Sequence, residues 1–135
     1  MSAPETVALH HDARVIAATE TVLARLAARN SGLRIAVVLT EDGFEVARSA
    51  GLPDGTARLA SMGSTLQLLS EAVIRELQLD APAQVTVAGA RGSVIVRRVG
   101  TLPLALIAVF SPARGRDEKA VRVAADALAA AVGTR

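Results

Sequence analysis

One long stretch, TARLASMGSTLQLLSEAVIRELQL from Thr56 to Leu79, constrains the fold more than any other part of the chain. Its spacing predicts an amphipathic helix, and at about 100° per residue its apolar side chains spread over a stripe too wide for one neighbouring helix to cover. We therefore expect this stripe to pack on a β-sheet as part of the core. The stripe comprises Leu59, Met62, Leu66, Leu69, Val73 and Leu77, widened by Gly63, Ser70 and Ile74.

The opposite side of the same helix is mostly small and polar, with one large aliphatic residue, Leu68, at its centre. Single exposed apolar side chains are normal on proteins, so by itself this pattern favours a solvent-exposed face. The other residues of the face are Ser61, Ser64, Thr65, Ala72 and Arg75.

The remaining elements supply the sheet. Residues 1–11 show no periodicity and are predicted to be a flexible arm, and Asp12 is placed to cap the helix that follows. The predicted helices span Ala13 to Asn30, Thr56 to Leu79 and Asp117 to Val132, and the predicted strands span Leu33 to Thr40, Phe44 to Ser49, Gln84 to Ala88, Ser93 to Val99 and Leu104 to Phe110.

This order, α-β-β-α-β-β-β-α, predicts a single α/β domain of the α+β type over residues 12–133. An Asp-Gly turn at Asp42 and Gly43 joins the first two strands, and a Gly-rich turn at Gly89 to Gly92 joins the third and fourth. We expect a five-stranded, mainly antiparallel sheet with the long helix on one face and the two terminal helices on the other.

Composition excludes several classes of function. The chain has 135 residues, of which 51% are hydrophobic and 1% aromatic, so it can bury a core but offers few rings for stacking on bases or haem. It has no cysteine and two adjacent histidines, a set that predicts no metal site and no cofactor. Charges of both signs are scattered, which argues against nucleic-acid binding. No apolar run is long enough to cross a bilayer and no secretory signal opens the chain, so we expect a cytoplasmic protein.

No catalytic motif is present. Ser61, Ser64 and Ser70 lie on the long helix without a histidine or lysine placed to activate them. The Gly89 to Gly92 turn lacks the phosphate-loop pattern and the helix that must follow it. The adjacent arginines Arg97 and Arg98 should point to opposite faces of a strand, where at least one reaches water or pairs with an acid. The sequence therefore predicts a protein that is not an enzyme.

Three segments, taken in order, are distinctive: VVLTEDGFEVARS, RLASMGSTLQLLSEAVIRELQL and QVTVAGARGSVIVRRV. Together they make the chain, from about Ala13 to Val132, similar to the roadblock / dynein light chain family, which includes bacterial partners of Ras-like small GTPases in gliding motility. The resemblance implies the same sheet-and-helix layout. It also implies a scaffold or regulator of a Ras-like GTPase, with GTPase activation as one candidate role.

The resemblance further implies a homodimer or heterodimer joined through the long helix and the strand that follows it, with the small residues around Leu68 allowing close approach. The residues expected at this contact are Ser61, Ser64, Thr65, Leu68, Ala72, Gln84, Val85, Thr86 and Val87. Two other functions remain open at the level of sequence. One is a sensor that binds a small ligand in a pocket beside the sheet, and the other is a structural adaptor in a signalling or cytoskeletal complex.

Overall fold

The computed structural model describes residues 8–49, 56–112 and 115–133. Within them the chain forms three helices and five strands in the predicted order. They are α1 (Ala13–Arg29), β1 (Leu33–Thr40), β2 (Glu45–Arg48), α2 (Thr56–Glu76), β3 (Gln84–Gly89), β4 (Gly92–Arg98), β5 (Leu104–Phe110) and α3 (Asp117–Gly133). The predicted fold class is confirmed, and β5 has the predicted bounds.

The five strands form one antiparallel sheet in the order β2-β1-β5-β4-β3. The central strand is β5, which pairs with β1 on one side, where Val37 lies opposite Ile107, and with β4 on the other. Strands β1 and β5 are nearly continuous runs of apolar residues because helices cover both of their faces. The β1–β2 hairpin lies at one side of the sheet and the β3–β4–β5 meander forms the rest, which leaves β2 and β3 as edge strands.

Helices α1 and α3 pack on one face of the sheet, where the larger core cluster lies. Asp12 caps the start of helix α1, and its carboxylate accepts hydrogen bonds from the backbone N–H groups of Arg14 (2.9 Å) and Val15 (3.5 Å). This confirms the predicted cap, which satisfies N–H groups that have no partner within the helix. The helices run antiparallel, since Arg14 near the start of α1 donates to the carbonyl of Val132 near the end of α3.

Among the described elements helix α2 alone covers the other face, and it packs on the sheet through the margin of the predicted stripe rather than through its centre. That side includes Gly63 and Gln67, both buried, together with the half-buried Ser70 and Ile74. Gly63 lies directly over Ile107, where even a methyl group would collide with the isoleucine side chain. The absence of a side chain at Gly63 therefore sets how closely α2 approaches the sheet.

The predicted core stripe of α2 is wrong for four of its members. Their exposed fractions are 56% for Met62, 60% for Leu69, 51% for Val73 and 62% for Leu77. Leu59 and Leu66 are half-buried and pack, as expected, on the smaller core cluster on this face of the sheet, which consists of Ile35, Val37, Leu39, Val96 and Ile107. Because the line through Gly63, Gln67, Ser70 and Ile74 faces the sheet, the most apolar line of the helix is rotated away from the core.

The N-terminal segment also differs from the prediction in part. Leu9–His11, expected within a flexible arm, forms a 3₁₀ turn, and Leu9 packs against the core cluster beneath α1. The ring of His10 stacks on that of Phe44, with their centres 4.5 Å apart. Residues 1–7 of the predicted arm, and the Gly- and Pro-containing break before α2, lie outside the described residues.

Candidate functional site

A row of exposed apolar side chains runs along α2 beside the sheet. Met62, Leu69 and Val73 follow the spacing of a single helix face, with the half-buried Leu66 between Met62 and Leu69. We call these four residues the α2 stripe. Soluble monomers rarely expose continuous apolar patches of this kind unless the patch binds something.

The part of the sheet next to the α2 stripe is also apolar and incompletely covered. Leu66 belongs to one cluster with Val85, Val94 and Val109, all of them half-buried. Val87, two residues further along β3, is 49% exposed. Stripe and strands thus form one apolar surface that reaches the edge of the sheet at β3.

The outer side of β3 has no neighbouring strand within the described chain, because β3 ends the sheet. Its side chains alternate between the faces: Val85 and Val87 share the α2 side, whereas Gln84 and Thr86 point to the α3 side. There Thr86 donates a hydrogen bond of 2.7 Å to Glu118. The edge therefore offers backbone N–H and C=O groups, the usual requirement for strand addition from another chain.

The predicted helix contact around Leu68 lies on the other flank of α2. Leu68 is 58% exposed and lines a cavity of about 170 Å³ with Ser64, Glu41 and Arg98, at the end of the sheet near the β1–β2 turn. Val85 thus packs on the same cluster as Leu66 of the α2 stripe, whereas neither Val85 nor Val87 lines the cavity beside Leu68. Ser61, Thr65 and Ala72 are exposed, and Ser64 is half-buried.

A charged network closes the Leu68 flank. Arg98 donates hydrogen bonds to Glu71 (2.6 Å) and to Glu41 (3.0 Å), and Gln67 donates to the same oxygen of Glu71 (3.1 Å). Arg98 and Glu71 keep 19% and 23% of their side-chain surface exposed, so this pair is partly shielded from water. The network ties α2 to the ends of β1 and β4.

The two adjacent arginines of β4 do point to opposite faces, as predicted. Arg97, on the α3 side, donates a 2.8 Å hydrogen bond to the side-chain oxygen of Gln84. On the edge strand β2, a hydrogen bond to Glu45 raises the pKa of Arg48. Arg48 and Glu45 form an ion pair at the surface, and such exposed pairs contribute little to stability.

The helix serines show no arrangement for nucleophilic catalysis. Ser70 donates to the backbone carbonyl of Gln67 (2.9 Å), and neither Ser61 nor Ser64 hydrogen-bonds a histidine, lysine or carboxylate in the described part of the chain. The described residues also contain no group of three or more histidine, aspartate or glutamate side chains placed to hold a metal ion. In the same residues, no helix combines the length and apolar character needed to cross a membrane.

The sequence pattern of the Roadblock/LC7 domain matches residues 18–110, from within α1 to the end of β5. The chain belongs to the Roadblock/LC7 family. This confirms the resemblance inferred from the sequence.

Solved structures show the same fold for this roadblock protein. The gliding protein MglB from Thermus thermophilus shares 20% identity with a TM-score of 0.77, and each chain is covered over 98% of its length. An MglB with a tetrameric arrangement shares 22% identity with a TM-score of 0.75, again with 98% coverage of both chains. Myxococcus xanthus MglB shares 17% identity with a TM-score of 0.75, over 87% of this chain and 90% of that one. No curated protein matches the chain significantly in sequence.

Sequence reasoning missed the α2 stripe as an exposed surface, although it identified all four residues. The available signal was the combination of Gly63 and Ser70 on one line of the helix, since small residues allow a close approach to a sheet. The roadblock protein thus presents two helix flanks, one apolar beside an open strand edge and one centred on Leu68 beside a charged network.

Proposed function

We propose that this protein is a non-enzymatic, homodimeric regulator or adaptor of a Ras-like small GTPase in the cytoplasm. Membership of the Roadblock/LC7 family and a fold shared with MglB gliding proteins support a regulatory role of this kind. The observation that carries the dimer is the apolar surface formed by the α2 stripe and the open edge at β3. Fold alone does not specify a partner, so the GTPase is the part that experiment must decide.

We infer a dimer because the described residues of one chain leave this apolar surface partly uncovered. Fully burying a side chain of Leu, Val or Met is worth about 1.5–3 kcal/mol, and Met62, Leu69 and Val73 each keep about half of that surface in water. A second copy of the chain would cover this surface by laying its own α2 stripe against it. Its β3 would pair with the first β3 across a two-fold axis, the commonest symmetry of oligomers, and extend the sheet.

The proposed interface includes the predicted strand residues Gln84 to Val87. On the helix it contains the α2 stripe instead of the predicted face around Leu68. Leu68 and Leu69 distinguish the two possibilities because they are neighbours with nearly equal exposure, 58% and 60%, on different flanks. Leu69→Arg should shift the protein to monomers, since a charge would enter the contact. Leu68→Arg should leave the dimer intact and serves as the matched control.

Sedimentation velocity over a hundredfold range of protein concentration measures both variants against the unmodified protein. If Leu68→Arg is monomeric and Leu69→Arg is dimeric, the interface is instead the one predicted from sequence, on the helix face from Ser61 to Ala72. If both variants remain dimeric, α2 is not the interface. A monomeric parent protein at all concentrations would end the homodimer proposal.

The regulatory role is tested by GTP hydrolysis. A Ras-like GTPase from the same genome is assayed in single turnover with and without an excess of this protein, and binding is measured separately. A changed rate supports regulation, and binding at an unchanged rate supports the adaptor role. If none of the host's Ras-like GTPases binds, the proposed function is refuted.

Arg98 is not placed to act as an arginine inserted into the GTPase. An inserted arginine must be free to reach the transferred phosphate. On the α2 face Arg98 is already held by Glu41 and Glu71. We therefore assign no such role to Arg98.

A further inference from the structure

The face opposite α2 carries a groove between α1 and α3. Its volume is about 460 Å³, and it extends from Val22 to Asn30 along α1 and from Arg116 to Ala127 along α3. Because the two helices run antiparallel, the end of α1 and the beginning of α3 meet at the same end of the groove. The groove plays no part in the proposed dimer.

The floor of the groove is apolar. Val22, Leu26 and Ala124 are buried there, and Ala120 and Ala127 are half-buried. Val123 stands at the side with 49% of its surface exposed. Three alanines in the lining keep the floor low, which leaves room for side chains that enter from outside.

The rims of the groove are positively charged on both sides. Arg25 and Arg29 lie one turn apart on α1, and Arg116 and Lys119 lie on the α3 side. No acidic residue lines the groove, and the side chains of these four cations form no hydrogen bond or ion pair with any described residue. An apolar floor between two free cationic rims is complementary to an apolar ligand surface flanked by negative charge on both sides.

We propose that this groove binds an acidic amphipathic helix of a partner protein, with an apolar stripe on the floor and carboxylates against both rims. A third helix packs naturally between two others, and its anchors recur at i, i+3, i+4 and i+7. The section of α1 that lines the groove is about 12 Å long at 1.5 Å per residue, so the bound helix spans two to three turns.

The shape favours a helix over a membrane surface. A protein that lies on a bilayer pushes apolar side chains outward into the lipid. Here the large apolar residues Val22 and Leu26 are buried at the bottom of the groove, and Val123 at its side is about half exposed. The cations stand above the floor, where they would meet the flanks of a bound helix.

The test uses a fluorescein-labelled peptide of 15 residues with leucines at i, i+3, i+4 and i+7, glutamates on both flanks and alanines elsewhere. Anisotropy at 50 mM NaCl compares it with a peptide in which glutamine replaces every glutamate. We expect the glutamate peptide to bind at least tenfold more tightly and to weaken steeply with salt. Equal affinity of the two peptides would overturn the proposal.

The matched variants are Arg25→Glu/Arg29→Glu in the groove and Arg34→Glu/Arg91→Glu, which alters exposed arginines outside it by the same net charge. The first pair should lower the affinity for the glutamate peptide at least tenfold, and the second pair should lower it less than threefold. Equal weakening would show that net charge, not the groove, attracts the peptide. Val123→Asp is a second groove variant, and circular dichroism verifies that each variant is folded.

Sedimentation with vesicles of phosphatidylcholine and phosphatidylglycerol in a 3:1 ratio separates the helix from a lipid surface. Vesicle binding that needs Arg25 and Arg29, without peptide binding, would overturn the proposal in favour of a membrane. The outcome is independent of the GTPase and dimer assays because the groove and the α2 stripe lie on opposite faces of the sheet.

Discussion

Gly63 provides the sharpest test of how α2 is seated on the sheet. In an unobstructed helix, replacing glycine by alanine stabilises by about 0.8–1 kcal/mol. Here the new Cβ would overlap Ile107 Cδ1 and lie 2.8 Å from its Cγ1, and Ile107 is fully buried. Overpacking of this kind costs about 1–3 kcal/mol. The clash is deep, so we expect Gly63→Ala to lower the free energy of unfolding by about 1–2 kcal/mol net.

The double-mutant cycle with Ile107→Val isolates this contact, because valine lacks the Cδ1 atom that is overlapped. Ile107→Val alone should cost about 0.5–1.5 kcal/mol. In the Gly63→Ala background it should cost nothing or restore stability, which gives a coupling of about 1 kcal/mol or more. Urea denaturation followed by circular dichroism, at one fixed protein concentration, supplies all four values. A stabilising Gly63→Ala, or zero coupling, would refute the proposed seating of α2.

Two further pairs of substitutions test other contacts. Asp12→Ala should lower the free energy of unfolding by about 1 kcal/mol through loss of the α1 cap. Asp12→Asn should keep most of the stability that the cap provides, because asparagine also caps helices. Equal losses in urea denaturation would show that the cap contributes nothing. Arg98→Met should cost about 1.5–3 kcal/mol because it leaves the partly buried Glu71 without its cation, while Arg97→Met, which removes a bond to the neutral Gln84, should cost about 1 kcal/mol or less. Equal costs in the same assay would show that the charged network is not stabilising.

The elements were predictable where one local pattern dominates. The run from Leu104 to Phe110 is wholly apolar and lies between a turn and a Ser-Pro break, so its bounds follow from sequence alone. The opposite directions of Arg97 and Arg98 follow equally from the two-residue period of a strand. The partners of Arg98 could not be predicted in this way, because Glu41 and Glu71 lie 57 and 27 residues from it in the sequence.

The orientation of α2 was missed because hydrophobic periodicity was followed rather than the line of small residues. Hydrophobic periodicity finds the most apolar line of a helix, and in an isolated domain that line usually faces the core. In this chain the line that faces the sheet is set by Gly63 and its fit to Ile107, a contact between residues distant in sequence. The groove was missed for a similar reason, since Arg25 and Arg29 meet Arg116 and Lys119 only after α1 and α3 pack together.

The strand order also has a consequence for the way the protein forms. β1 and β5 are neighbours in the sheet although they are the first and last strands of the chain, whereas the other strand pairs join consecutive strands. Closing a loop between strands so distant in sequence slows folding. On the ribosome, β1 would wait for β5 until Phe110 had left the exit tunnel, so the two halves of the sheet join only after all five strands have been made.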